Sequence, residues 1–251
     1  MYNKSMKRVL LTIAYDGSGY SGWQKQPTQR TIQGEIESAF FNATGQRIEL
    51  FGSGRTDAGV HAYRQTAHFD LDLPIPIEKL PEIINNRLPQ DIAITQAREV
   101  AEDFHARFSI KKKQYLYKIY NGEEKQPFLA NYYGFVKKTL DINKMQECAN
   151  VLIGTHDFHG YCSANTSAVD FVRTIFDIQV KRHSDNEIYV TVSGSGFLYN
   201  MVRIIVGTLV DYSLGKISLE MVKEALIQGN RECAGQTMPP NGLYLNETIY
   251  S

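Results

Sequence analysis

The sequence predicts an α+β protein built on a mainly antiparallel sheet flanked by helices. Strand-like and helix-like stretches are mixed along the chain, and short turns often separate consecutive strands. With 251 residues, 43% of them hydrophobic, the chain can bury a large core as one domain or as two closely packed halves. We expect an N-terminal half at residues 1–110 and a C-terminal half at residues 111–251. Residues 121–130 are the best candidate for a stretch that separates two halves.

In the first half, β-branched or alternating runs predict strands, and one-sided apolar spacing predicts helices. Thr31 is a suitable N-cap for the first helix and Gly45 is a suitable end. Pro81 suits the first turn of the second helix. The predicted strands are 7–16, 48–51, 65–71 and 92–100, and the predicted helices are 31–45 and 77–88.

The second half has the same mixed character. Residues 172–183 and 188–195 predict paired strands around a short polar turn. Residues 197–214 predict a largely buried helix that ends at Gly215, and Ser218 is a suitable N-cap for the next helix. The remaining predicted elements are strands 115–120 and 243–249 and helices 141–152 and 218–228.

Composition and charge favour an ordinary globular protein of the reducing cytoplasm. Basic and acidic residues number 27 each, so the net charge gives no global support for a nucleic-acid partner. Cys148, Cys162 and Cys233 form no C-x-x-C pair, which argues against a disulfide framework or a zinc site. The first residues do not resemble a signal peptide, and no apolar run is long enough to span a bilayer. We therefore expect no membrane association.

Asp57 is the candidate catalytic carboxylate. It lies in a run of small residues, 52–62, where glycines permit turn conformations and close approach of a ligand, and Arg55 stands two places before it. A lone carboxylate presented in this way is typical of a nucleophile or a general base. The ordinary alternative for an aspartate between glycines is an Asx turn in a surface loop.

Arg203 is the unusual charge of the sequence, because it lies within an otherwise apolar helix. A buried arginine costs on the order of several kcal/mol unless it is paired. We therefore expect an acidic partner from elsewhere in the chain. Pairing with Asp57 would keep that carboxylate ionised and oriented, and would lower its pKa. The alternative is that the Arg203 side chain reaches the surface along its aliphatic stem.

Residues 104–118 combine basic side chains with aromatic rings and contain no acid. Cations for phosphates beside rings for bases are typical of a surface for single-stranded RNA. A solvated turn leading into a strand explains the same pattern equally well. The basic residues are Arg107, Lys111, Lys112, Lys113 and Lys118, and the rings are Phe104, Phe108, Tyr115 and Tyr117.

Motifs for other chemistries are weak. The Asp57 loop and the stretch 194–196 lack the G-x-G-x-x-G spacing and a phosphate-binding lysine, and there is no G-x-S-x-G motif. His156, His159 and Cys162 lie close in sequence but supply no clear tetrahedral set, so we expect no metal site. An Asp57–His61 pair is conceivable, although a histidine at that spacing is more often a structural hydrogen-bonding residue.

The order of these motifs resembles the tRNA pseudouridine synthase A family, whose members act on the anticodon stem-loop. Each motif is weak alone, but in this order they are very specific, and the resemblance extends over nearly the whole chain. The matching segments are 15–17, 20–26, 31–34, 52–62, 103–108, 115–117, 172–175, 196–198, 201–203, 206–207 and 242–245.

The resemblance implies a pseudouridine synthase fold built from two similar halves, and isomerisation of uridine to pseudouridine without a cofactor at positions 38, 39 and 40 of tRNA. It implies that Asp57 is the catalytic nucleophile, Arg203 its ion-pair partner and Tyr115 the contact to the target base. Arg55 corresponds to an arginine implicated in base flipping, and Leu198 falls near a position that lines the uracil pocket. The residues expected to hold phosphates are Lys111, Lys112 and Lys113. The family also implies a homodimer that binds one tRNA.

One stretch departs from the family pattern. Residues 158–162 stand where relatives usually have a serine–phenylalanine pair, and the loop 163–171 is also variant. The tRNA contacts of this loop therefore do not follow from the resemblance.

Three alternatives stay open. They are a related synthase that modifies other uridines, a protein that holds tRNA without catalysis, and a hydrolase that uses a metal or a catalytic triad. The combination of Asp57, Tyr115 and Arg203 favours an enzyme over a binding protein, and the missing metal ligands and nucleophile disfavour the hydrolase.

Overall fold

The computed structural model describes residues 6–164, 166 and 168–250. Contacts within the chain divide it into two compact units. One unit comprises Met1–Lys111 together with Leu245–Ser251, and the other comprises Lys112–Tyr244. The C-terminal segment therefore folds with the unit that begins the chain.

The first unit is built on a central strand with an antiparallel neighbour on each side. In chain order its elements are β1 (Lys7–Tyr15), α1 (Ile32–Thr44), β2 (Phe51–Gly52), β3 (His61–Leu71), α2 (Leu80–Asn85) and β4 (Ile92–Val100). β1 pairs with β3 and β4, and β2 pairs with β3. In the β1–β3 register, Val9 lies opposite Phe69.

The core of this unit follows from the sequence pattern. Alternate residues of β1 face inward, so that Val9 and Leu11 have no exposed surface. Helix α1 begins at the predicted cap, where Oγ1 of Thr31 accepts a hydrogen bond from the Gly34 N–H, and it ends at Gly45 in a left-handed conformation. The buried face of α1 then packs on the sheet through its apolar side chains.

The second unit is also built on antiparallel strands. Its elements are β5 (Lys112–Tyr120), β6 (Gly134–Phe135), α3 (Ile142–Val151), β7 (Gly154–Asp157), β8 (Val172–Ser184), β9 (Glu187–Gly194), α4 (Met201–Ser213) and α5 (Leu219–Ile227). β9 lies between β5 and β8, and β7 pairs with β8, all antiparallel. The short β6 is parallel to β5. The last strand, β10 (Leu243–Ile249), has the predicted bounds.

Helix α4 is buried on nearly every side. A Cβ on Gly207 would lie 1.8 Å from the carbonyl oxygen of Gln236, so that only glycine permits the segment around Gln236 to approach the helix this closely. Among the described residues, none of the helices combines the length and the apolar character needed to cross a bilayer.

Several predicted elements have different bounds in the structure. The strands expected at 65–71 and 115–120 begin at His61 and Lys112, and the helix expected at 77–88 is limited to Leu80–Asn85. The strand expected at 48–51 is limited to Phe51–Gly52, because side chains of α1 bind the Leu50 backbone. The Leu50 N–H donates to Glu37 at 3.1 Å, and Gln33 donates to the Leu50 carbonyl at 3.1 Å. The helix expected at 197–214 begins only at Met201, because Asn200 before it has a left-handed backbone.

Candidate active site

The backbone of the Asp57 loop is fixed by the segment that follows β1. The carbonyl oxygen of Thr56 accepts a hydrogen bond from the Trp23 N–H at 3.0 Å. The Thr56 hydroxyl lies 2.8 Å from the hydroxyl of Tyr15, inside the unit. Asp57 itself is half-buried, between buried Thr56 and exposed Ala58. The loop thus presents a carboxylate near the surface from a rigid base.

Glycines make this close packing possible. Gly22 has φ +86°, and a Cβ there would lie 2.5 Å from the Thr56 carbonyl oxygen. A Cβ on Gly17 would lie 2.0 Å from the carbonyl oxygen of Val60. The glycines that shape the site therefore include two that lie outside the Asp57 loop and face it.

A buried polar pair holds the start of the loop. Oγ of Ser53 donates to the side-chain oxygen of Gln65 at 2.6 Å, and the Gln65 amide donates to the Gly54 carbonyl at 3.0 Å. Ser53 and Gln65 are almost fully buried. Gln65 was not predicted as a site residue, since a glutamine within an alternating strand gives no sign that it is buried.

Arg55 and His61 flank the aspartate in sequence but have different surroundings. Arg55 is exposed, and its Nε donates to the side-chain oxygen of Gln24 at 3.1 Å. His61 is buried, and its Nδ1 accepts a hydrogen bond from the Gly17 N–H at 3.1 Å and lies 3.2 Å from an Asp16 oxygen. His61 therefore supports the turn after β1, and Arg55 faces solvent.

In the second unit, Tyr115 and Leu198 are both buried, with 8% of each exposed. Tyr115 lies on β5 opposite Val192 of β9. Its ring meets the ring of Phe197 edge to face, at 5.1 Å between centroids and 89° between planes. The Leu198 carbonyl accepts a hydrogen bond from the Met201 N–H. The sheet thus brings Tyr115 next to the segment that leads into α4.

Arg203 is half-buried on α4, and two of its guanidinium nitrogens donate to neutral groups. Nε donates to the carbonyl oxygen of Met238 at 2.6 Å, and Nη1 donates to Oδ1 of Asn200 at 2.7 Å. The Met238 N–H donates in return to the Arg203 carbonyl at 3.2 Å. Met238 and Asn200 were not foreseen as partners, because a carbonyl and an amide carry no charge pattern. The pairing of Arg203 with Asp57 stays a prediction.

The segment before β10 is fixed from the other side by Tyr117. The Tyr117 hydroxyl donates to the Pro239 carbonyl at 2.8 Å. Burial raises the pKa of Tyr117 far above its usual range, so that this hydroxyl stays a donor. Cβ atoms on Gly134 and Gly242 would lie within 3 Å of the Tyr117 ring. The carbonyl that binds Arg203 therefore belongs to a well-supported backbone.

Phe104, His105 and Phe108 of the basic segment form an aromatic cluster with His68 in the first unit, whereas Tyr117 of the same segment is fully buried on β5. His105 lies 4.7 Å from His68 and 4.4 Å from Phe108, between ring centroids. Phe108 is 76% exposed, and the Arg107 guanidinium lies 5.8 Å from the centre of its ring. Lys111 is exposed, and half-buried Lys112 and Lys113 begin β5.

The stretch that departs from the family pattern is mostly well packed. Phe158 and Tyr161 are fully buried, and the Tyr161 hydroxyl donates to the Val222 carbonyl at 3.1 Å. In the loop 163–171, Asn165 and Ser167 lie outside the described residues. Within the residues that the structure describes, no three His, Cys, Asp or Glu side chains are placed to hold a metal ion. His156 instead lies 3.1 Å from the Ile153 carbonyl.

The family of tRNA pseudouridine synthases matches this chain over residues 11–109 and 148–251. The chain belongs to the tRNA pseudouridine synthase family. Both matched ranges carry predicted site residues, Asp57 in the first and Arg203 in the second. The family predicted from the motifs is thus confirmed, together with the α+β fold of pseudouridine synthases and the class of isomerase.

Individual synthases of this family resemble the chain over nearly its whole length. A tRNA pseudouridine synthase A of Brevibacillus brevis is 47% identical over 245 residues, which cover 98% of this chain and 100% of the relative. The enzyme of the same name from Halalkalibacterium halodurans is 46% identical, over 95% of this chain and 90% of the relative. One from Thermoanaerobacter sp. is 42% identical, over 98% and 100%.

Proposed function

We propose that this synthase converts uridine to pseudouridine in the anticodon stem-loop of tRNA, at positions 38, 39 and 40, with Asp57 as the nucleophile. The observation that carries the proposal is the presentation of a single half-buried carboxylate from a rigid glycine-lined loop, in a chain of this family. A fixed backbone lets the carboxylate meet the nucleoside without reorganisation.

The reaction rearranges bonds within one nucleotide and needs no oxidant or reductant. The N1–C1′ bond breaks, the uracil turns and a C5–C1′ bond forms. The proton on C5 leaves for solvent, and N1 takes up a proton, so that the product is an isomer of uridine. Because a stacked base is out of reach, the uridine must first leave the helix. Arg55, which is exposed beside the loop, fills or contacts the space that the uridine vacates.

Each site residue has a role in this scheme. Asp57 attacks the nucleoside as an ionised carboxylate, at C1′ or at C6, or acts as a base at the sugar. Arg203 keeps it ionised. Tyr115 stacks on the uracil, and Leu198 lines the apolar wall beside it. Both lie at the buried junction with the segment that enters α4.

The RNA is held by the accessible basic and aromatic side chains of residues 104–113, since Tyr117 further along this segment is fully buried. Lysines 111 to 113 contact phosphates, and the exposed ring of Phe108 offers a surface on which an unpaired base stacks. Two copies of the chain form the binding cleft for one tRNA, and the enzyme works in the cytoplasm. The mass of the protein in solution, with and without tRNA, tests the dimer.

Tritium release from uridine labelled at C5 in tRNA, with no cofactor added, tests the reaction. We expect D57N and D57A to release no tritium and to bind tRNA as tightly as the parent enzyme. D185N, in the exposed turn between β8 and β9, is the matched control and should release tritium at the normal rate. Release by D57N at the rate of D185N would refute the assignment. Mapping pseudouridine in tRNA from a deletion strain then identifies the target positions.

A further inference from the structure

Asn200 is the N-cap residue of α4, but it lacks the conformation and the hydrogen bond that are usual at this position. An asparagine at the N-cap usually accepts a hydrogen bond from the first turn of the helix. Asn200 makes no such bond, and its backbone is left-handed, with φ 59° and ψ 6°. Among the described residues it is the sole non-glycine residue with a positive φ. A conformation of this kind is unfavourable for a residue with a Cβ, and it persists where neighbours hold it.

The Asn200 side chain is used elsewhere. Its Oδ1 accepts a hydrogen bond from Nη1 of Arg203 at 2.7 Å, and its Nδ2 donates to Oγ of Ser163 at 3.0 Å. The Ser163 N–H donates to the carbonyl of neighbouring Tyr199 at 3.2 Å. The amide therefore bridges the loop after Cys162 and the guanidinium on α4.

We propose that Asn200 is a positioning residue which, anchored by Ser163, sets the direction of the Arg203 guanidinium for the isomerisation. This inference rests on the proposed function, in which Arg203 orients the reacting carboxylate. Asn200 holds Nη1 and the Met238 carbonyl holds Nε, so the planar guanidinium is fixed at two of its nitrogens. The remaining N–H groups of Arg203 are then held in a fixed direction, as is needed when neighbouring residues position a functional side chain.

The same contacts connect Arg203 to the loop 163–171, whose sequence departs from the family pattern. Ser163 is its first residue, and it reaches Arg203 through one intervening side chain. Changes in this loop are therefore expected to alter the rate of the chemical step as well as the contacts to tRNA.

Three variants separate the hydrogen bond from the backbone strain. N200G removes the amide and keeps the left-handed conformation without strain, whereas N200A removes the amide and adds strain. S163A removes only the anchor. The measurements are the rate of pseudouridine formation in a single turnover with enzyme in excess, the Kd for tRNA, and the Tm.

We expect N200G to lower the single-turnover rate about tenfold or more, with Kd and Tm close to those of the parent enzyme. S163A should lower the same rate by a smaller factor. N200A should add a fall in Tm. A purely structural role would move Tm and leave the rate of the folded enzyme unchanged. N200G and S163A at the parental rate would overturn the proposal.

N200D provides a test through charge. It keeps an acceptor oxygen at the same reach but adds a negative charge beside Arg203. The guanidinium is then shared between the new carboxylate and Asp57, so Asp57 is less strongly held in its ionised form. As the pH is lowered, we therefore expect the rate to decline at a higher pH than in the parent enzyme. An unchanged pH profile would contradict the proposal. If the parent enzyme itself forms no pseudouridine, the proposed function fails. If it is active and N200G is equally active, only the role of Asn200 fails.

Discussion

Arg203 and Met238 are joined by two hydrogen bonds that run in opposite directions. The side chain of Arg203 donates to the Met238 carbonyl at 2.6 Å, and the Met238 N–H donates to the Arg203 carbonyl at 3.2 Å. One residue of α4 thereby fixes a backbone segment 35 positions later in the chain. A carbonyl oxygen carries no full charge, so the bond from the side chain orients the guanidinium without neutralising it.

Lysine cannot replace arginine at position 203. A lysine ammonium keeps the charge but cannot occupy the positions of both Nε and Nη1. We expect R203A to abolish turnover, and R203K to lower the single-turnover rate by about 10²-fold. R203K should also lose about 1–2 kcal/mol of unfolding free energy, because the Met238 carbonyl loses its partner. Rates and urea denaturation measure the two effects.

R231K is the matched control for R203K. Arg231 donates to the carbonyls of Ala234 and Gly235, in the same backbone segment, at 3.4 and 2.8 Å. We expect R231K to lose comparable stability and to keep a near-normal rate. Turnover by R203K as fast as that of R231K would show that the arginine at 203 serves only the fold.

Phe108 is expected to contribute to tRNA binding. Its ring is 76% exposed, with His105 and Arg107 beside it. Stacking of one base is worth about 1–3 kcal/mol, so F108A should raise the Kd for tRNA roughly tenfold and leave the rate at saturation nearly unchanged. F128A, which removes a ring that is 92% exposed in the other unit, is the control. Equal affinities of F108A and F128A would remove Phe108 from the RNA surface.

Gly22 and Gly45 form a natural pair for testing the support of the Asp57 loop. Both have a positive φ, +86° and +76°. A Cβ on Gly45 meets nothing within 4 Å, whereas one on Gly22 lies 2.5 Å from the Thr56 carbonyl oxygen. We expect G45A to cost about 1 kcal/mol of stability, the cost of the backbone conformation. G22A should cost more and should also reduce turnover, as thermal unfolding and tritium release will show. Equal effects of both substitutions on turnover would contradict a role of this contact in holding the loop.

His68 makes the first unit sensitive to acid. Burial, and next the neighbouring His105, lower the pKa of His68 from 6.5 to about 4. Its Nδ1 accepts a hydrogen bond from the Ala106 N–H at 3.1 Å, which needs the unprotonated ring. Between pH 6.5 and 4, His68 is mainly protonated in the unfolded chain and mainly unprotonated in the folded chain. Stability therefore falls as the pH falls through this window, by on the order of 1 kcal/mol after solvent screening.

H68N tests this pH dependence, because an amide oxygen accepts the same hydrogen bond without titrating. We expect its unfolding free energy to depend less on pH between 6.5 and 4 than that of the parent, as followed by urea denaturation. H183N changes an exposed histidine on β8 and should keep the parental slope. Parallel curves for H68N and the parent would exclude His68 as the source.

The sequence predicted best those elements whose bounds depend on local pattern. β4 and β10 have the predicted limits, since alternating residues are flanked there by turn residues. The start of α4 was predicted four residues too early. Apolar residues continue through Phe197 and Leu198, and the left-handed Asn200 that separates them from the helix is fixed by Ser163, which is remote in sequence.

The candidate site, like the start of α4, could be predicted only where the local sequence pattern is unusual. Asp57 and Arg203 stand out in the sequence because a charge among small or apolar residues is unusual. Their supports do not stand out. Gln65, Met238 and Asn200 act through a buried amide, a backbone carbonyl and an uncapped helix start, all of which depend on contacts between distant segments.

The placement of residues 245–250 sets an order for biosynthesis. Tyr250 bonds to Thr66 and to the Ala106 carbonyl, and Thr248 lies 3.4 Å from Ser53 at the start of the Asp57 loop. On the ribosome, these residues appear only after the whole of the second unit has been made. The unit that carries Asp57 is begun first and completed last, so the Asp57 loop of a nascent chain lacks these contacts until β10 has been synthesised.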